Sequence, residues 1–253
     1  MQIKKRSSQG PVVAFFDVDG TLVYRTRESG PGTVARPAVA EAVNAFASSG
    51  GIAVLSTGRS MCGVADVSAQ IPFSGFVTMD GAYVRLGETV VFDECFPHGL
   101  LKRVVSEMKS VGMSAFFQGT EACAQLSPDG RNPYEAEGVR TARNMDDLAR
   151  IKPDLRFGKI DFSGMDYDRY LKSGYLELVM PGVNKGAGAR RYLEALEAKC
   201  GCAPSMAYAF GDSENDMPLF DVADVSVAMG QASDKVKARA TFIAETCGND
   251  GVA

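Results

Sequence analysis

The chain has 253 residues and a formal net charge of −4, with 45% hydrophobic and 23% charged residues. That is ordinary globular usage, which excludes a disordered or fibrous chain. The length suits one large α/β unit, or a core carrying a smaller inserted domain. Lys and Arg number 27 against 31 Asp and Glu, so nucleic-acid binding has no electrostatic support. No apolar run approaches the ~20 residues of a membrane span. The run Val12-Val13-Ala14-Phe15-Phe16 is too short for a signal-peptide core and is followed by Asp17, which predicts a cytoplasmic protein. Six cysteines (62, 95, 123, 200, 202 and 247) form no C-x-x-C pair, and His98 is the single histidine. A zinc site lacks its ligands, and a Ser-His-Asp mechanism has only His98 to draw on. Chemistry in this chain must rest on carboxylates, hydroxyls, lysine or a hard metal.

Val12 to Phe16 is a continuous apolar run, the pattern of a strand buried on both faces of a parallel sheet. Val39, Val43 and Phe46 recur at helical spacing, and Gly50-Gly51 closes that helix. Ile52 to Leu55 and Phe76 to Met79 read as further buried strands. The βαβαβ rhythm predicts an α/β fold with a doubly wound, mostly parallel, Rossmann-like core. From Tyr83 the texture changes to a hairpin around Gly87-Glu88, an amphipathic helix through Leu101 and Met108, and strands at Ser114 to Gln118 and Ala122 to Leu126. A short helix at Asp146 to Arg150, a strand at Arg156 to Phe162, a brief helix at Tyr167 to Leu171 and a strand at Tyr175 to Met180 follow. This predicts an inserted α+β domain over residues 83–183, with the core formed by residues 1–82 and 184–253. The core rhythm returns with a helix through Ala189 and Leu196, then strands at Ala207 to Phe210, Val225 to Met229 and Phe242 to Ala244.

Four segments could carry chemistry. In Asp17-Val18-Asp19-Gly20-Thr21-Leu22, residues i and i+2 of an extended chain project to one side, so both carboxylates can converge. Gly20 allows a sharp turn there, and the segment falls at a strand's carboxyl end, where open α/β sheets bind ligands. Gly211-Asp212-Ser213-Glu214-Asn215-Asp216 holds three acids in five residues, which repel unless a cation or partner offsets them. An EF-hand is excluded, because Met217 takes its glycine position and Ala223 its bidentate-glutamate position; helix capping is the plainer alternative. Ser56-Thr57-Gly58-Arg59 precedes a helix expected near Ser60 and suits a phosphate, although N-capping by Thr57 or Ser60 explains it equally well. Asn184-Lys185-Gly186 places a cation at a helix start, against the macrodipole, which pairing with an anion would offset; a solvated loop lysine is the alternative.

Taken in order, these segments resemble the four motifs of the haloacid dehalogenase superfamily, and the insertion resembles the type IIB cap of its Cof-like phosphatases. Val227-Ala228-Met229-Gly230 and Asp250-Gly251-Val252-Ala253 add to the likeness. The resemblance implies a Mg²⁺-dependent hydrolase of small phosphomonoesters, sugar phosphates by default, working through an aspartyl-phosphate. Asp17 would be the nucleophile and Asp19 the general acid and base. Thr57 and Lys185 would hold the phosphoryl oxygens, with Gly58, Arg59 and Asn215 on the substrate side. Asp17, Asp212 and the carbonyl of Asp19 would ligate the metal, and Asp216 would support Lys185 or the metal shell. Residues 83–183 would set substrate specificity. A phosphomutase or phosphotransferase on the same scaffold, and a non-catalytic phosphosugar-binding regulator, are the alternatives. Two departures stand out: Asp80-Gly81-Ala82 replaces the family's common Asn-Gly-Ala, and the sequence ends at Ala253 where a last helix is expected.

Overall fold

The computed structural model describes residues 10–24, 34–127, 130, 139–163 and 176–253. The expected helix at Tyr167 to Leu171 lies outside them. In chain order come β1 (Val12–Phe16), α1 (Pro37–Ser48), β2 (Ile52–Ser56), α2 (Ala65–Gln70), β3 (Gly75–Thr78), β4 (Tyr83–Leu86) and β5 (Thr89–Asp93). There follow α3 (His98–Val111), β6 (Ser114–Gln118), β7 (Cys123–Leu126), β8 (Arg140–Ala142), α4 (Met145–Ile151), β9 (Lys159–Ser163) and β10 (Leu176–Val179). The chain ends with α5 (Lys185–Cys200), β11 (Met206–Gly211), α6 (Met217–Phe220), β12 (Val225–Ala228), α7 (Asp234–Lys237) and β13 (Phe242–Ile243). No helix among the described residues is long and apolar enough to cross a membrane.

The larger sheet runs β13-β12-β11-β1-β2-β3-β4-β5. Its pairs from β13 through β3 are parallel, and β4 turns antiparallel against β3. The apolar run of β1 follows from this position. Val13 and Phe15 pack with Tyr192, Leu193 and Leu196 of α5, and the Phe15 ring meets Tyr192 edge-on at 5.8 Å. On the alternate residues, Phe16 stacks on Phe210 of β11 at 4.9 Å. A strand between helix-covered faces must be apolar on both sides. From β1 the chain winds outward to β2 and β3, whereas β11, β12 and β13 build out the other way. The strand order therefore reverses at β1/β11, and a crevice opens outside the carboxyl ends of strands at such a point.

The smaller compact unit comprises Asp93–Pro181 together with Arg59–Cys62. Its sheet runs β10-β9-β6-β7-β8. Leu101, Val104, Val105 and Met108 of α3 and Leu148 of α4 cluster with Ala115, Phe117, Ala124, Leu126 and Ile160. Gly112, at φ 70, ends α3 in the left-handed conformation, which only glycine adopts freely. Strand alternation leaves Gln118, Gln125, Lys159 and Asp161 on the sheet's other face. Where the sequence reading begins the insertion at residue 83, the structure joins the 83–93 hairpin to the larger sheet, and the smaller unit takes up at Asp93.

Candidate active site

The switch point gathers side chains from three places in the larger unit. Asp17 leaves β1 with its backbone N–H donating to Phe210 O at 3.0 Å, which ties this strand exit to β11. Asp212 follows β11, and Lys185 opens α5. The Lys185 ammonium donates to Asp17 Oδ1 and to Asp216 Oδ1, each at 2.6 Å. All three side chains are essentially buried. The other oxygen of Asp216 accepts from the backbone N–H groups of Asp212 and Ser213, each at 3.0 Å. Asp216 is thereby committed on both oxygens, and it holds the loop after β11 against Lys185.

Local sequence explains how these groups come so close. At Gly20, φ is 82° and an added Cβ would lie 2.1 Å from Asp212 Oδ2, so glycine is required for both conformation and space. At Gly211 an added Cβ would lie 2.4 Å from Asp216 Cγ. Asn184 caps α5, its side chain accepting from Ala187 N at 2.8 Å. The cap fixes the first turn of α5, and so the position of Lys185.

Carboxylate oxygens of Asp17, Asp212 and Asp216 lie within 4.8 Å of one another. Three acids facing one ammonium leave an excess of negative charge in a buried place. Burial pushes the Asp17 carboxyl well above the usual range; Lys185 opposes that, while Asp216 and Asp212 add to it. Burial and then Asp216 push Asp212 to about 6, with Asp19 contributing in the same direction. Burial alone would lower Lys185, but Asp17, Asp216 and Asp80 together outweigh it and hold the ammonium charged. An all-oxygen donor set, crowded and short of positive charge, fits a hard divalent cation. With Asp216 already engaged, Asp17 and Asp212 are the carboxylates that would hold it.

The remaining expected residues are distributed as follows. Asp19 is half-buried, bridges Val23 in the turn after β1, and its charge bears on Asp212. Thr57 is buried at the exit of β2, its N–H donating to Val77 O at 2.8 Å. Helical structure begins directly after Ser60, as a 3₁₀ turn at Met61–Val64 that runs into α2, and no side chain caps α2. Gly58 ends a segment of the larger unit, whereas Arg59 groups with the smaller one. Asn215 donates its amide to Asp80 Oδ1 at 3.0 Å. Asp80 is buried at φ 54, a left-handed conformation that Asp and Asn tolerate better than other side chains. Gln231 was not anticipated: its amide donates to Gly20 O at 2.5 Å and to Asp212 Oδ2 at 3.3 Å, and its carbonyl accepts from Cys247 N. It follows Gly230 just beyond β12, so the strand-exit rule that marks Asp17 and Asp212 would have marked it too.

A family model described as haloacid dehalogenase-like hydrolase matches residues 14–166 and 169–253. A phosphoglycolate phosphatase of Methanoculleus marisnigri is 27% identical over 237 residues, covering 93% of this chain and 91% of its own. Among solved structures, a HAD subclass IIB sugar phosphatase superposes with a TM-score of 0.74 at 20% identity, over 95% of each chain. A haloacid dehalogenase-like hydrolase of Bacillus subtilis superposes with a TM-score of 0.75 at 19% identity, over 95% of this chain and 96% of that one. At these identities the solved structures speak to the fold.

Proposed function

The chain belongs to the haloacid dehalogenase-like hydrolases, and from that premise we propose that it is a Mg²⁺-dependent phosphatase of small phosphomonoesters, with sugar phosphates as the substrate class. The observation that carries this reading is the meeting of Asp17 and Lys185, at 2.6 Å, at the switch point beside Asp212. In this reading an Asp17 oxygen attacks phosphorus and forms an aspartyl-phosphate, while the ester P–O bond breaks and Asp19 gives its proton to the leaving alkoxide. Asp19, now a carboxylate, takes a proton from the water that attacks the same phosphorus. Phosphate leaves and the Asp17 carboxylate is restored. Lys185 and Thr57 bind the phosphoryl oxygens as charge shifts across them. Bound at Asp17 and Asp212, Mg²⁺ would offset the repulsion between carboxylate and phosphate. The smaller unit, which lies between the second and third of these segments in the chain, would select the leaving group. The names of the phosphoglycolate and sugar phosphatases above support phosphomonoesters as the substrate class.

The test is phosphate release from a panel of phosphomonoesters, with and without Mg²⁺, for the wild type and Asp17→Asn. The reading expects turnover that requires Mg²⁺ in the wild type and none above background in the variant, with unchanged circular dichroism. Wild-type rates in Asp17→Asn would remove Asp17 as the nucleophile.

A further inference from the structure

The smaller unit contains three thiols that hydrolysis does not use, and two of them, Cys62 and Cys123, lie at one turn. Its segment Arg59–Cys62 is held by hydrogen bonds: the Ser60 N–H donates to Gln118 Oε1 at 2.8 Å, and Ser60 Oγ lies 3.2 Å from Cys123 Sγ. The Cys62 thiol donates to Thr120 O at 3.5 Å, and the Cys123 thiol points to Gly119 O at 3.9 Å. Both sulfurs therefore lie against adjacent carbonyls in one turn between β6 and β7. They differ in exposure: Cys62 is open to solvent, whereas Cys123 is buried. They differ in acidity as well. The neighbouring Cys123 thiol, more than any other influence, brings Cys62 down to about 7 against its own burial, helped by its backbone, Lys152 and Ser60. The Cys62 neighbour, and then burial, pushes the Cys123 thiol up. By contrast, burial raises Cys95 to about 12 and Cys247 to about 11. An exposed thiolate with a protonated thiol as its neighbour is the arrangement of a sensing cysteine and its resolving partner.

We propose that Cys62 and Cys123 form a peroxide-responsive thiol pair that closes to a disulfide. The Cys62 thiolate attacks one oxygen of a hydroperoxide and the O–O bond breaks. That oxygen stays on sulfur as a sulfenic acid, and the other leaves as hydroxide, which takes up a proton to become water. The Cys123 sulfur then attacks the Cys62 sulfur, the S–O bond breaks, and a second water leaves with the Cys123 proton. Two thiols lose two electrons in all, and hydrogen peroxide is reduced to two waters. A low-molecular-weight thiol reverses the bond by exchange. Cys62 lies in the 3₁₀ turn, outside either sheet, so its movement toward Cys123 would break no strand.

The two residues fall in separate tryptic peptides, Ser60 to Arg85 and Ser110 to Arg131, each containing a single cysteine. The experiment treats the reduced full chain with hydrogen peroxide, digests it without reductant and reads the peptides by mass spectrometry. The expected product is these two peptides joined, with two hydrogens lost and the link reversed by dithiothreitol. In Cys123→Ser, Cys62 should stop as a sulfenic acid that dimedone traps. Iodoacetamide alkylation of Cys62 should rise with pH to a midpoint near 7. At neutral pH it should run about threefold faster than in the urea-unfolded chain, since the larger thiolate fraction is partly offset by lower nucleophilicity. Absence of the joined peptides at every peroxide dose would overturn the proposal. So would a link that instead unites Cys200 or Cys202 with either thiol.

Discussion

Buried lysines occur in both compact units, and the two units compensate them differently. In the larger unit, the Lys185 side chain is 1% exposed and its partners, Asp17 and Asp216, are 6% and 0% exposed. In the smaller unit, the Lys159 side chain is 3% exposed, yet its partner Glu177 at 2.9 Å is 43% exposed and Asp161 at 3.4 Å is 21% exposed. The Lys159 ammonium is buried too, but both of its partner acids keep some contact with solvent. The partners of Lys185 have almost none. Removing three or more charges from water costs several kcal/mol per ion, which mutual attraction only partly offsets. A fold retains such a cluster where the charges have work to do, and this one stands where the strand order reverses. The same residue type, equally buried, thus stands in the candidate site of one unit and beside partly exposed acids in the other.

The comparison breaks most visibly on removal of each ammonium. Lys185→Met leaves Asp17 and Asp216 facing each other with no counter-charge, and breaking a buried pair in this way costs about 3–5 kcal/mol. We expect the urea midpoint to fall accordingly and phosphate release to drop to background. A variant as stable as the wild type would show that the ion cluster does not organise the crevice. A smaller effect is expected for Gly20→Ala. The new methyl would meet Asp212 Oδ2 at 2.1 Å, and the backbone would be held at φ 82. Strain of this kind costs about 1–3 kcal/mol. Because Asp212 must move aside, half-maximal phosphate release should need more Mg²⁺. An unchanged Mg²⁺ requirement would separate Asp212 from metal binding.

Much of the larger unit could be read from the sequence because its central strands are covered on both faces. Val12 to Phe16 and Ile52 to Leu55 have no alternation to confuse them, and each ends abruptly at a polar residue. The 83–93 hairpin shows where such reading stops. Alternation and Gly87-Glu88 reveal that its two strands pair with each other, but the sheet they join is decided by backbone hydrogen bonds from β4 to β3. Those bonds leave no mark on side-chain identity. β8 went unseen because Arg140, Thr141 and Ala142 are too few to show a period. Asp17, Asp212 and Lys185 stand out because each polar group breaks a pattern, at the end of an apolar run or at the start of a helix. Gln231 also follows a strand exit, but its bond to Asp212 depends on β12 lying beside β11. Asp80 could be noticed as an odd carboxylate, but its bond to Asn215 depends on the left-handed turn that the chain takes there.

The sharpest form of the comparison is the substitution with the smallest expected effect. Lys159→Met keeps the buried stem's volume and removes the charge, so the sheet face around Gln118 stays filled. Glu177 loses an ion-pair partner but remains hydrated. Asp161 keeps the Gln118 amide, which donates to its Oδ2 at 2.5 Å. Pairs with one solvated member contribute roughly 0–1 kcal/mol, so the urea midpoint should move by no more than that, in contrast to Lys185→Met. Should both substitutions cost the same, exposure of the partner acids would not be what distinguishes the two lysines. The reading of the Lys185 cluster as a site would then rest on its position at the switch point alone.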